Sequence, residues 1–151
     1  MKVKELMTKD VKACTEDTDL ATVVKMMWDA DCGIVPVVDG EGRVTGVITD
    51  RDICVAAATR RLDPASIHVN DAMSRHVATC SEDADPRSAL EVLKERRIRR
   101  LPVVNRQNRL VGILSVNDLV ARADFRPSSG GVSVDDLLNT LRAICAHPAS
   151  V

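Results

Sequence analysis

Aromatic side chains are almost absent: the 151 residues include one Trp, one Phe and no Tyr. The core must therefore be assembled from Val, Ile, Leu, Met and Ala. A stacking platform for single-stranded nucleic acid, which needs flat rings under successive bases, is argued against. No charge of one sign dominates either. The chain carries 21 basic and 22 acidic residues, a net −1, so nothing pulls it generally toward nucleic acid or anionic lipid. No stretch approaches the ~18–20 apolar residues of a membrane span, and Met1-Lys-Val-Lys-Glu5 does not lead into a signal peptide. A cytoplasmic protein without a membrane partner is expected. The cysteines (Cys14, Cys32, Cys54, Cys80 and Cys145) are odd in number and lack short paired spacing, which speaks against a disulfide framework. There is no Cys-x-x-Cys, and the three histidines are scattered, so no metal site is expected. Neither a P-loop nor a nucleophile–base pair is recognisable, and no catalytic residue is assigned.

What the chain does have is a repeat. Val3–Ala57 lies over Val69–Ala123 at a constant offset of 66 without a gap. Fourteen of the 55 aligned pairs are identical, against about four expected by chance. Met7/Met73, Cys14/Cys80, Pro36/Pro102, Gly46/Gly112 and Asp52/Asp118 are among them.

Each copy reads as β-α-β-β-α. A short amphipathic turn (Val3–Met7; Val69–Met73) precedes a brief strand around Val11–Cys14 or Val77–Cys80. An acidic helix start follows at Thr15–Asp19 or Ser81–Asp85. Leu20, Val23, Val24, Met26 and Met27 then recur at helical spacing, as do Ala89, Leu90, Val92 and Leu93. Two β-branched runs make a strand pair in each copy, Ile34–Val38 with Val44–Ile48 and Leu101–Val104 with Leu110–Leu114. A second helix begins at Thr49 or Ser115. One such copy is small for an independent core, so two packed together form the natural folding unit. Residues 1–58 are expected to form repeat 1, 59–68 a linker, and 69–124 repeat 2. The remainder, 125–151, holds a flexible stretch, Arg126–Gly131, and a last helix with Leu137, Leu138, Leu141 and Ile144 on one side. Trp28, at the end of its helix, is expected in packing or at an interface.

Two segments recur with a chemistry of their own: Gly46-Val-Ile-Thr-Asp-Arg-Asp52 and Gly112-Ile-Leu-Ser-Val-Asn-Asp118. A hydroxyl residue at a strand-to-helix turn with an acid three positions on is the pattern of a capping box, in which each side chain satisfies the other residue's backbone N–H. The same carboxylate on a rigid first turn could equally accept hydrogen bonds from the two hydroxyls of a ribose. Both readings stand, and they are compatible.

With the φ-Pro-Val-Val strand before the turn (φ apolar), these motifs resemble the CBS domain, named after cystathionine β-synthase. The resemblance covers about four-fifths of the chain. It implies an α/β (α+β) fold of two tandem CBS repeats packed with pseudo-twofold symmetry, a Bateman module, with two clefts between the repeats and a C-terminal helix added. It further implies a regulatory module that binds adenine nucleotides (AMP, ADP or ATP) or a related adenosyl ligand, and commonly a homodimer. No cofactor is required. By the same resemblance Thr49, Asp52, Ser115 and Asp118 contact ribose. The base falls near Cys14, Thr15, Ile34 and Val35 in copy 1 and near Cys80, Ser81, Arg100 and Leu101 in copy 2.

The phosphate end separates the copies. Lys94-Glu-Arg-Arg-Ile-Arg-Arg100 carries five cations in seven residues, whereas the matching Trp28–Ile34 carries two acids and no cation. Copy 1 has 6 basic against 11 acidic residues and copy 2 has 10 against 7. Cations suit a helix C-terminus, but four arginines exceed that need, and Arg is what bidentate phosphate recognition favours. Arg51, Arg97, Arg99 and Arg100 are the candidate phosphate contacts. The competing reading is a dimerisation or protein-interaction module with empty clefts, acting through a protein partner that the sequence does not identify.

Overall fold

The computed structural model describes residues 1–123 and 131–146; the segment 126–130, expected to be flexible, lies outside them. Ten α-helices and β-strands lie among the described residues, and the first nine follow the duplicated order. Copy 1 gives α1 (Leu20–Asp29), β1 (Ile34–Val38), β2 (Val44–Thr49) and α2 (Asp50–Arg60). Copy 2 gives β3 (Cys80–Ser81), α3 (Pro86–Arg96), β4 (Arg100–Val104), β5 (Leu110–Ser115) and α4 (Val116–Val120). The tail forms α5 (Val134–Cys145).

Local chemistry sets the boundaries. Asp19 caps α1 by accepting from the Thr22 N–H at 2.9 Å, and Asp85 caps α3 by accepting from Arg87 at 2.7 Å, with Pro86 in the first turn. Between β1 and β2, Asp39 Oδ1 accepts from the N–H groups of Glu41 and Arg43, both at 2.9 Å, and Gly42 takes the positive φ of 79° that the turn needs.

The chain divides into two compact units, and these are not the two sequence copies. One contains residues 12–77 and 108–110; the other contains 1–11, 78–107 and 111–151. The difference lies in the turn that opens each copy. Val3, fully buried, belongs to the apolar cluster of Leu90, Leu93, Leu101 and Leu114, and its N–H donates to the Ala84 carbonyl at 3.0 Å. Thr8 exchanges both backbone hydrogen bonds with Ile113 of β5, each 2.9 Å. Val69 does the reciprocal thing. It is buried with Leu20, Val23, Val35 and Ile48 and donates to the Thr18 carbonyl at 2.8 Å, while Ser74 pairs with Val47 of β2. Each copy's opening segment therefore completes the sheet edge and core of the other copy's strands.

Two expectations need adjusting, the first strand and the apolar stripe of α5, and α4 is short. The brief first strand is a single parallel bridge, Cys14 to Val37, in one unit and two residues, Cys80 and Ser81, in the other. The reason is the turn after Cys14, where Thr18 Oγ1 accepts from the Thr15 N–H at 3.1 Å and leads the chain off the sheet. The second helix of copy 2 stops after five residues, at Val120. In α5, Leu137 is buried with Leu141 and Ile144 packed nearby, but Leu138 sits a further ~100° around the helix and is exposed.

Candidate functional site

Both motif turns form the reciprocal capping box. In the first, Asp52 Oδ2 accepts from the Thr49 N–H at 2.9 Å while Thr49 Oγ1 accepts from the Asp52 N–H at 3.1 Å. In the second, Asp118 Oδ2 accepts from the Ser115 N–H at 2.7 Å and from the Ser115 hydroxyl at 2.6 Å, and Ser115 Oγ accepts from the Asp118 N–H at 3.2 Å. In each box only Oδ2 is engaged. Among the described residues nothing donates to Oδ1 of either acid. Each turn thus presents a half-buried carboxylate, fixed at the positive end of a helix, with one oxygen still able to accept.

The base-side candidates stand at the head of the neighbouring strand. Ile34 pairs directly with Thr49 across the β1–β2 ladder. Cys14 lies along the other side of β1, donating its N–H to the Pro36 carbonyl at 3.0 Å. Val35 and Leu101 are fully buried in their cores, so their side chains are packing groups. Thr15 and Ser81 are exposed, and Ile34 and Arg100 half-buried. Burial pushes the Cys14 and Cys80 thiols up to about 11, which keeps them protonated and inert at neutral pH.

The arginine run adjoins the second turn. The Val116 N–H, directly after Ser115, donates to the Arg99 carbonyl at 3.0 Å; in the first repeat Asp50 donates to Gly33 at 3.1 Å. Arg97, at φ 53°, is the left-handed cap of α3. The guanidinium groups of Arg97, Arg99 and Arg100 make no ion pair among the described residues, and neither does that of Arg51.

Arg51 and Asp52 also line a surface cavity of about 440 Å³ together with Val55, Thr59, Arg60 and Asp71. Arg60 Nη2 donates to the Asp71 carbonyl there at 2.8 Å. The last four were not singled out from the sequence; Asp71 belongs to the opening turn of the next copy, and nothing in the spacing joins it to α2. The cavity holds Asp52 but not Cys14, Thr15, Ile34 or Val35. Among the described residues no cluster of three His, Cys, Asp or Glu could hold a metal ion, and no helix is long and apolar enough to cross a membrane.

The sequence profile of the CBS domain matches residues 3–58 and again 69–124. The chain belongs to the CBS domain family. The uncharacterized protein YlbB of Bacillus subtilis (strain 168) is 34% identical over 135 residues, 89% of this chain and 90% of its own length. Inosine-5'-monophosphate dehydrogenase of Methanocaldococcus jannaschii is 31% identical over 124 residues, 82% of this chain, which spans only 24% of that enzyme. Among solved structures, a CBS domain pair in complex with 5'-methylthioadenosine and S-adenosyl-L-methionine superposes with a TM-score of 0.71 at 25% identity, covering 80% of this chain and 94% of that one.

Proposed function

We propose that this chain is a non-catalytic regulatory module that senses an adenine nucleotide or related adenosyl ligand in the cytoplasm. The observation that carries the reading is the duplicated turn: Asp52 and Asp118 each spend one oxygen on a cap and offer the other beside a strand head and a helix N-terminus. A vicinal diol is the matching donor pair, and the related CBS pair that binds two adenosyl compounds supports the choice of ligand class. Thr49 and Asp52, and Ser115 and Asp118, hold ribose. Arg99 and Arg100, tied to the second turn through the Val116–Arg99 hydrogen bond, take phosphate there. Arg51, beside Asp52, has that role at the first turn. The base is gripped by backbone groups near Cys14 and Cys80 more than by the buried side chains of Val35 and Leu101.

A thermal-shift panel of AMP, ADP and ATP with their guanosine counterparts, S-adenosylmethionine, NAD and a cyclic dinucleotide tests this. A ligand at 100 times its dissociation constant stabilises the fold by about 2.7 kcal/mol, a rise of several degrees in melting temperature. A rise with adenosyl ligands and none with guanosine counterparts is expected. No rise across the panel would overturn the reading in favour of a module that acts through protein contacts alone.

A further inference from the structure

The two motif turns sit on helices of unequal length. Asp52 belongs to α2, which runs for 11 residues and seats Ile53 and Ala56 in the core of its own unit. Asp118 belongs to α4, which ends after five residues, Val116–Val120. Five residues make about one and a half turns, far short of the ~12–15 at which an isolated helix becomes even marginally stable in water. Something besides the hydrogen bonds of α4 must therefore fix the angle at which Asp118 is held. One tie is the Val116 N–H, donated to the Arg99 carbonyl at 3.0 Å, which secures the helix at its first residue.

The other tie is α5, which lies on both α3 and α4. Leu119 of α4 is 1% exposed and shares one apolar cluster with Leu137 of α5 and with Leu90 and Leu93 of α3. Leu141 and Ile144 of α5 pack against the same cluster. The start of α5 is itself secured. Asp136 Oδ2 accepts from the Ser133 N–H at 3.2 Å, Ser133 Oγ accepts from the Asp136 N–H at 3.1 Å, and the buried Thr140 donates its hydroxyl to the Asp136 carbonyl at 2.9 Å. Just ahead of this cap, Arg87 of α3 donates from Nε to the Gly131 carbonyl at 3.0 Å. α3 in turn ends in the arginine run, with Arg97 as its cap and Arg99 and Arg100 following. α5 thus rests on the two helices that lead into the candidate phosphate and ribose groups of the second turn.

We infer that α5 positions the second turn: by holding Leu119 it fixes the short helix that carries Asp118, so nucleotide binds there only with α5 docked, and bound nucleotide tightens α5 in return. The inference rests on the ribose role of Asp118 proposed above. Leu137 is then a positioning residue that acts through Leu119. The first turn, on the longer α2, needs no such support. Occupancy of the second turn is thereby converted into a change in the order of a surface helix, which is what a regulatory module needs in order to signal.

The test takes the full chain in two backgrounds, with ADP as the probe in calorimetry. Asp52→Ala leaves the second turn to be read, and Asp118→Ala leaves the first. Leu137→Ala, added to each, shortens a buried side chain of α5. It should weaken ADP binding roughly tenfold or more in the Asp52→Ala chain and leave the Asp118→Ala chain within about twofold of its parent. Leu137→Met, which keeps the volume, should restore the affinity. A purely structural role would lower the melting temperature in both backgrounds and move neither affinity. Hydrogen exchange on the unsubstituted chain adds a reading that no variant has to fold for. Saturating ADP should slow the amides of Val134–Cys145 there and leave them unchanged in the Asp118→Ala chain. No ADP binding by the Asp52→Ala chain would overturn the ribose reading of Asp118 and this inference with it. Two results would overturn the inference alone: an ADP affinity that Leu137→Ala leaves unchanged in that chain or weakens equally in both, or an ADP-saturated wild type whose α5 exchanges as fast as in the free protein.

Discussion

Val116 donates its backbone N–H to the carbonyl of Arg99 at 3.0 Å, one residue after the serine that caps α4 and one residue before Arg100. This bond joins the arginine run to the Ser115–Asp118 turn of its own repeat. In the other repeat the equivalent bond, Asp50 to Gly33, joins an Asp-Cys-Gly loop to the Thr49–Asp52 turn. The two turns share a geometry and differ in charge.

Unequal phosphate affinity is the first expected outcome. Arg99→Ala/Arg100→Ala should weaken triphosphate and diphosphate binding roughly tenfold or more and leave the nucleoside unchanged, since a hydrogen bond to a charged group is worth about 1.5–3 kcal/mol. Calorimetry with adenosine, ADP and ATP checks this. Ligands that keep their wild-type ranking would remove the phosphate role.

Gly46 and Gly112 have a packing reason that the motif alone does not state. A Cβ on Gly112 would lie 2.7 Å from the Thr8 carbonyl oxygen and 2.6 Å from Met7 Sδ, and one on Gly46 would strike Met73 and the Ser74 carbonyl. The glycines let each opening segment close on the opposite copy's strand. Gly112→Ala should cost about 1–3 kcal/mol by overpacking and should raise amide exchange at Val3 and Thr8. Denaturant midpoints and hydrogen exchange read the two effects separately.

Acid should loosen the same anchor. Hydrogen bonds from Lys4 and Lys2, both 3.0 Å from Asp83 Oδ1, hold that carboxyl down to about 2. A depressed carboxylate contributes stability above its unfolded pKa of ~3.9 and loses it as pH falls toward the folded value. Asp83→Asn should therefore unfold at lower urea than wild type at pH 6, with the gap closing between pH 4 and pH 2. A gap that persists at pH 2 would show the pair to be irrelevant.

Thiol labelling should divide the cysteines by burial. Cys54 and Cys145 are exposed, while Cys14 and Cys80 are buried and protonated. Iodoacetamide at pH 7.5 is expected to modify the first pair within minutes and the second only on unfolding.

The fold was largely legible because the duplication doubles every signal. Strand runs, acidic helix starts and the Ser/Thr-x-x-Asp turns all recur at one offset, and α5 announced itself through its apolar spacing. The exchange of opening segments was not legible. Val3 and Val69 occupy equivalent positions and are equally apolar, so periodicity shows that each is buried and says nothing about which copy buries it. At the site, the capping role of Asp52 and Asp118 could be read from spacing. The idle Oδ1 oxygens could not, because they depend on which carboxylate oxygen faces the cap. Val35 and Leu101 show the limit in the other direction: an apolar residue at a strand head looks the same in sequence whether it lines a pocket or fills a core.

The ribose role of the two acids is decided by titration calorimetry of Asp52→Ala/Asp118→Ala against the adenosyl ligand that most raises the wild-type melting temperature. Binding should weaken at least roughly 10-fold per lost ribose contact. The ligand-free melting point should fall by no more than the loss of two caps, about 1 kcal/mol each. A double variant that melts lower yet binds as tightly as wild type would leave both acids as helix caps and nothing more.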